Sequence, residues 1–118
     1  MDESTTVQEL KRLVAEFRDE RDWREYDTPK NLAISISVEA AELLEHFQWK
    51  TDKEVAEMIG ESGSMDKVSD ELADVLIYCL GFSDTLGIDL SEALLKKLGK
   101  NSQKYPPVKP RASTQVMP

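Results

Sequence analysis

Four carboxylates carry the clearest chemical signal in this chain. Glu39 and Glu42 form one pair at i, i+3 spacing, and Glu71 and Asp74 form a second. On a helix that spacing makes the two side chains surface neighbours. Two helices packed at the usual ~8–10 Å separation could turn all four groups into one gap. Four converging carboxylates hold no counter-charge among themselves, and the physical remedy is a hard divalent cation. An all-oxygen ligand set favours Mg²⁺ or Mn²⁺ over zinc. Spacing alone also leaves a solvated acidic face open, since Glu is a good helix former and E-x-x-E arises by chance in acidic helices. A di-iron carboxylate bundle wants Glu-x-x-His on two helices. The sole histidine, His46, lies four residues after Glu42 and does not supply that motif.

The elements that must position these groups read as helices, because glycine and proline are few and long stretches lack both. Thr6 and Glu9 resemble a capping box before Val7, Leu10, Val14 and Phe17, which predicts a first helix fading near Asp22 and Trp23. Thr28-Pro29 is an N-cap followed by proline, opening a second helix that should reach about Phe47. On this helix Leu32, Ile36, Ala40, Leu43 and Phe47 form one apolar arc, and Ile34, Val38 and Ala41 form another nearly opposite. Ser35, Glu39, Glu42 and His46 run between them, so carboxylates occupy a seam flanked by apolar surface. Half-buried carboxylates without partners are costly.

Thr51 and Glu54 predict a short capped helix carrying Val55, Met58 and Ile59, broken by the segment Gly60 to Ser64. A long helix is expected from near Asp66 to Leu86, with Val68, Leu72, Val75, Leu76, Cys79 and Phe82 as its apolar stripe and Gly87 as its stop. Glu71, Asp74 and Tyr78 lie at the edge of that stripe. Asp89 and Glu92 open a last helix reaching about Gln103, and Pro106, Pro107 and Pro110 forbid its continuation. The expected fold is an all-α helical bundle of four main helices plus a short one, a single domain over residues 1–107 with a loose tail over 108–118. A chain of 118 residues with an apolar two-sided helix gains burial by pairing with copies of itself.

The last helix carries Lys96, Lys97, Lys100 and Lys104, with Asn101 among them and Tyr105 just after. Lysines there compensate the helix dipole; they could also meet a phosphorylated anion whose other side is held by a metal. Trp23 and Trp49 each lie just outside a predicted helix, flanked by charged or polar residues. Tryptophans in bundles usually anchor cores or interfaces, but an aromatic face at an element end also suits a nucleobase.

Fifteen basic against 23 acidic residues give a net charge of −8, which argues against an electrostatic binder of nucleic acid polymers. No acid follows Leu95, so the acidity is concentrated before the lysine-rich helix. No apolar run is long enough for a membrane span, and no leader is expected. One cysteine, Cys79, forms no internal disulfide, so a reducing, cytoplasmic setting is expected. No serine or cysteine has the pattern of a nucleophile beside a histidine base.

Glu39-x-x-Glu42 followed by Glu71-x-x-Asp74 resembles the metal motif of the MazG-like all-α nucleoside triphosphate pyrophosphohydrolases. Within that family, Glu20-Arg21-Asp22-Trp23, Pro29-Lys30-Asn31-Leu32 and Phe47-Gln48-Trp49-Lys50-Thr51-Asp52 are similar to the dCTP pyrophosphatase branch. So are Glu71 to Tyr78 and the ending Lys97, Asn101, Lys104-Tyr105-Pro106; the likeness runs from about Val7 to Pro106. The resemblance implies Mg²⁺-dependent hydrolysis of a deoxynucleoside triphosphate, dCTP or a modified dCTP, to the monophosphate and pyrophosphate. It assigns Glu39, Glu42, Glu71 and Asp74 to the metal. Lys97, Asn101 and Tyr105, with Lys104, would contact the phosphates or sugar, and Trp23 and Trp49 would frame the base. It also implies a homo-oligomer, a dimer or dimer of dimers with sites completed across chains, and a role in cleansing the nucleotide pool. The chain departs from the wider family at Val38, where a further glutamate is frequent. It departs from the dCTP branch at Val14, where a histidine near the base occurs. The same reaction on other or broader nucleotides, and a non-catalytic helical module that binds a partner, are the alternatives to dCTP hydrolysis.

Overall fold

The computed structural model describes residues 1–108. Five helices follow in order: α1 Val7–Glu20, α2 Pro29–Glu45, α3 Asp52–Ile59, α4 Ser62–Leu86 and α5 Leu90–Lys104. No strand occurs among the described residues, as an all-α reading requires. The chain divides into two compact units, Met1–Ile88 and Asp89–Pro118. The first unit holds α1 to α4; α5 belongs to the second. The expected tail over 108–118 lies, beyond Val108, outside the described residues.

Local chemistry explains where each helix starts. The side chains of Thr6, Thr28 and Thr51 accept from the backbone N–H groups of Glu9, Asn31 and Glu54, satisfying donors that have no partner within their helices. At Thr51 the bond is reciprocated by the Glu54 carboxylate, giving a full capping box. Asp89 does the same for Glu92 at the start of α5. Two boundaries differ from expectation. α2 ends at Glu45 with His46 as its cap, slightly short of Phe47. α4 begins at Ser62, well before Asp66, so only Gly60 and Glu61 break the chain and Gly63 and Ser64 are helical. Ser64 donates to the Glu61 carboxylate at 3.2 Å, a local bond that helps carry the helix back through this polar segment. At the far end Gly87 takes φ +67°, the left-handed conformation that lets the Ile88 N–H return to the Ser83 carbonyl at 2.8 Å.

α4 is the spine of the first unit: α1, α2 and α3 all pack on it, α2 most extensively. Leu32, Met58 and Leu80 are the buried apolar side chains, joined by Arg18 and Ser83. The first arc of α2 does face the core through Leu32, Ile36, Leu43 and Phe47, although Ala40 is exposed. Its second arc is left uncovered, with Ile34 and Val38 each 50% exposed. The α4 stripe is likewise divided: Val68, Val75, Cys79 and Phe82 turn inward or half inward, whereas Leu72 and Leu76 face out with Ile77. No helix among the described residues is long and apolar enough to cross a membrane.

Candidate metal centre and its relatives

The packing of α2 on α4 builds a polar seam. Tyr78 lies beside Ser35 and within electrostatic reach of Glu39 and Asp74, and Glu39 lies against Glu42 and Glu71 with Asp74 nearby. Further along, His46 and Lys67 line one cavity. The helices therefore run antiparallel with facing rungs Ser35/Tyr78, Glu39/Asp74 and Glu42/Glu71. Each rung is a turn, or nearly a turn, from the next, so one face of each helix supplies the whole series.

Glu39, Glu42 and Glu71 each offer an oxygen, and the three oxygens lie within 4.8 Å of one another. Opposite ligands of an octahedral Mg²⁺ are about 4 Å apart, twice the ~2.0–2.1 Å ligand distance, so small side-chain adjustments would close the set around an ion. One oxygen of Glu39 and one of Glu71, Oε2 in each, is buried without a hydrogen-bond partner. Such atoms are expensive unless something positive meets them. The cost is visible in Glu39, whose pKa is pushed up to about 7 by burial first and then by the carboxylates of Glu42, Glu71 and Asp74. The three residues thus fit a divalent cation by donor type, spacing and uncompensated charge. Asp74 is exposed and stands at the rim of this group: it acts on Glu39 through its field but lies outside the trio of close oxygens. Tyr78 is held neutral, its pKa raised by burial and then by Glu39, Asp27 and Asp74.

Trp23 sits in the loop between α1 and α2, its ring edge-on to Phe17 at 5.6 Å, with the Arg21 guanidinium 3.6 Å from the Phe17 ring centre. Trp49 follows α2 and is 86% exposed. Trp23 precedes the N-terminal end of α2 and Trp49 follows its C-terminal end, with about 25 Å of helix between those ends at 1.5 Å per residue. Lys97, Asn101, Lys104 and Tyr105 belong to the second unit. The lysines and Tyr105 are exposed, Asn101 is half-buried, and its carbonyl accepts from the Tyr105 N–H.

The residues that hold the Trp23 loop were missed in the sequence. Arg18 is buried at 5% exposure, donates through Nε to Asp27 at 2.9 Å, and reaches the Gly81 carbonyl and the Thr85 hydroxyl at 3.3 Å each. A Cβ at Gly81 would stand 3.1 Å from Arg18 Nη1, so glycine leaves room for the guanidinium. The signal was present: Arg18 follows Val14 by four and so continues the apolar face of α1. A charge on that face calls for a buried partner.

Residues 34–115 match the MazG-like family model, a span that includes both carboxylate pairs and the helix after them. The chain belongs to the MazG-like family. Among curated members, dCTP pyrophosphatase 1 of Rattus norvegicus is 38% identical over 101 residues, covering 86% of this chain and 59% of that protein. The Homo sapiens protein of the same name is 37% identical over 110 residues, covering 93% of this chain and 65% of its own length. This MazG-like chain therefore spans about three fifths of the length of the curated relatives it matches. A pyrophosphatase from Archaeoglobus fulgidus DSM 4304, known from its crystal structure, superposes with a TM-score of 0.78 at 48% identity, covering 85% of this chain and 92% of that one. The fold of this family member is thus shared with a solved pyrophosphatase over nearly its whole length.

Proposed function

We propose that this chain is a nucleoside triphosphate pyrophosphohydrolase, cleaving a deoxynucleoside triphosphate, dCTP or a modified dCTP first among them, to the monophosphate and pyrophosphate. The observation that carries the reading is the trio of Glu39, Glu42 and Glu71 oxygens with two buried Oε2 atoms lacking any partner. Family membership and the names of the curated relatives support it. Glu39, Glu42 and Glu71 would hold Mg²⁺, or Mn²⁺ in its place, with Asp74 joining from the rim. When bound, the ion would neutralise triphosphate charge and make a water more acidic.

The rest is the work of the chain. Glu39 or Glu42 would orient a water against the α-phosphorus and take its proton on a carboxylate oxygen. The water oxygen bonds to that phosphorus as its bond to the bridging oxygen breaks, and pyrophosphate leaves with the bonding pair. No covalent enzyme intermediate is required. Lys97, Asn101, Lys104 and Tyr105 would contact phosphates or sugar, and Trp23 and Trp49 would stack on the base. The ~25 Å of α2 between the tryptophans supports their coming from two copies, and the bare Ile34 and Val38 support a homo-oligomer, a dimer of dimers. A role in cleansing the nucleotide pool would go with the likeness to the dCTP pyrophosphatases, and the lone free Cys79 suits a reducing, cytoplasmic setting. No role is assigned toward nucleic acid polymers or membranes.

The test is incubation with each common and modified dNTP, with and without Mg²⁺, reading pyrophosphate and monophosphate. Mg²⁺-dependent release, highest with dCTP or a modified dCTP, is the expected result. Release spread evenly over many nucleotides would replace the substrate while keeping the reaction, and none with any nucleotide would end the enzymatic reading.

A further inference from the structure

α1 ends in a Schellman motif whose left-handed position is filled by aspartate. Arg21 is the C-cap. The N–H of Asp22, the next residue, reaches back to the Asp19 carbonyl at 3.1 Å, and the Trp23 N–H reaches the Arg18 carbonyl at 3.0 Å. These two bonds define the motif, and the apolar contact that accompanies it is present as the edge-on meeting of Trp23 with Phe17. The turn requires a left-handed backbone at Asp22, φ +55°, where glycine is the usual occupant. Among the described residues Asp22 is the one non-glycine with positive φ, and its exposed carboxylate enters no ion pair with them. The Trp23 carbonyl is engaged as well, accepting from the N–H groups of Tyr26 at 3.0 Å and Asp27 at 2.9 Å. Arg18 holds the Asp27 carboxylate in turn. The backbone of Trp23 is thus fastened on both sides, while the residue stays 43% exposed. A tryptophan held this firmly and still open is a surface prepared for a flat ligand.

We propose that Asp22 is a positioning residue: its left-handed backbone fixes the Trp23 indole as a preformed stacking platform for the base of the nucleotide. This rests on the reading of Trp23 given above. The place of the indole follows from the turn, because the two Schellman bonds close only when the residue before Trp23 takes positive φ. Aspartate tolerates that conformation, glycine takes it freely, and a β-branched side chain is strongly disfavoured there. A ring ordered in advance spares nucleotide binding the cost of ordering it, so the gain falls on affinity and not on the chemical step. The Asp22 carboxylate has no part in this, which separates the role from recognition of the substrate by charge.

The test is a series of substitutions at this one position, assayed with dCTP and Mg²⁺. Asp22→Gly and Asp22→Asn should keep KM within about twofold of the native chain. Asp22→Val should raise KM by about fivefold or more with kcat held within about twofold, and Asp22→Ala should move KM the same way by less. Near-ultraviolet circular dichroism gives a readout without substrate. In a Trp49→Phe background, where Trp23 is the only indole, its band should be kept in Asp22→Gly and largely lost in Asp22→Val. Glycine as damaging as valine would give the role to the carboxylate and overturn the proposal, and so would a native KM and band in Asp22→Val. Should Trp23→Ala leave KM unchanged, or the native chain hydrolyse no nucleotide, the reading of Trp23 as the partner of the base falls instead. The dichroism then still decides Asp22: a band lost with valine and kept with glycine upholds its hold on the indole, and equal bands end it.

Discussion

α4 carries two groups of charge that its neighbours help to bury, and they are built on opposite principles. Towards its C-terminal end Gly81 and Thr85 receive the Arg18 guanidinium, whose charge is answered by Asp27. Nearer its N-terminal end Glu71 joins Glu39 and Glu42, three groups of one sign with two oxygens left orphaned. A buried charge with its opposite beside it is a structural device, because removing either partner strands the other. A cluster of like charge with no partner is a standing cost to the fold. Such a cost is retained where a ligand supplies the missing charge, which is why these carboxylates, and not the better bonded Arg18, are read as the functional centre.

The largest expected effect breaks the functional half. Glu71→Ala or Glu39→Gln should lower Mg²⁺-dependent nucleotide hydrolysis by about a thousandfold or more, since each removes a ligand from the reacting centre. The melting temperature without Mg²⁺ should hold or rise, because repulsion is relieved. A marked fall in metal-free stability with activity retained would exchange the roles of the two groups. Arg18→Met should do the reverse, costing about 3–5 kcal/mol in chemical denaturation by leaving Asp27 half-buried and unpaired. A loss below 1 kcal/mol would mean that the pair contributes little to the fold.

Much of this division was legible beforehand, for definite reasons. The i, i+3 carboxylate pairs, the threonine caps and the glycine stop at position 87 are local features, and local spacing maps directly onto a helix surface. The seam was visible because two apolar arcs flank it. What depends on long-range contact was hidden. Arg18 finds Asp27 across a loop and Gly81 across the bundle, neither of which spacing along α1 shows. The early start of α4 was obscured because Gly63 and Ser64 are breakers by composition yet stand in a turn supported by Glu61. Leu72 and Leu76 read as core and are exposed, since a helix pattern marks apolar residues without saying whether this chain or another copy covers them. Asp74 illustrates the same limit from the polar side: its spacing equals that of Glu42, but it remains at the rim.

A smaller change sharpens the structural half. Gly81→Ala adds a Cβ 3.1 Å from Arg18 Nη1, in space that the guanidinium fills. The close approach should offset the ~1 kcal/mol that alanine ordinarily gains over glycine inside a helix, and Arg18→Met should release that gain because the thioether can yield. A double-mutant cycle measures this; strict additivity would show that Gly81 does not serve Arg18.

The smallest effect separates the two groups by pH. Glu39 titrates near 7 in the fold against an ordinary value of 4.5, so the folded chain binds its proton more tightly than the unfolded chain does. Its contribution to stability is therefore fully present below pH 4.5 and is lost as the pH rises through about 7. Without Mg²⁺ the melting temperature should drift down by a few degrees across that window, modestly because solvent reaches part of the cluster. With Mg²⁺ the drift should reverse, since deprotonated carboxylates are the form that binds the ion. Glu39→Gln should flatten the metal-free drift, whereas Arg18→Met, though less stable throughout, should retain it. A metal-free profile that is level in the native chain would mean that the three carboxylates part into solvent, and the contrast between a satisfied and an unsatisfied charge on α4 would be lost.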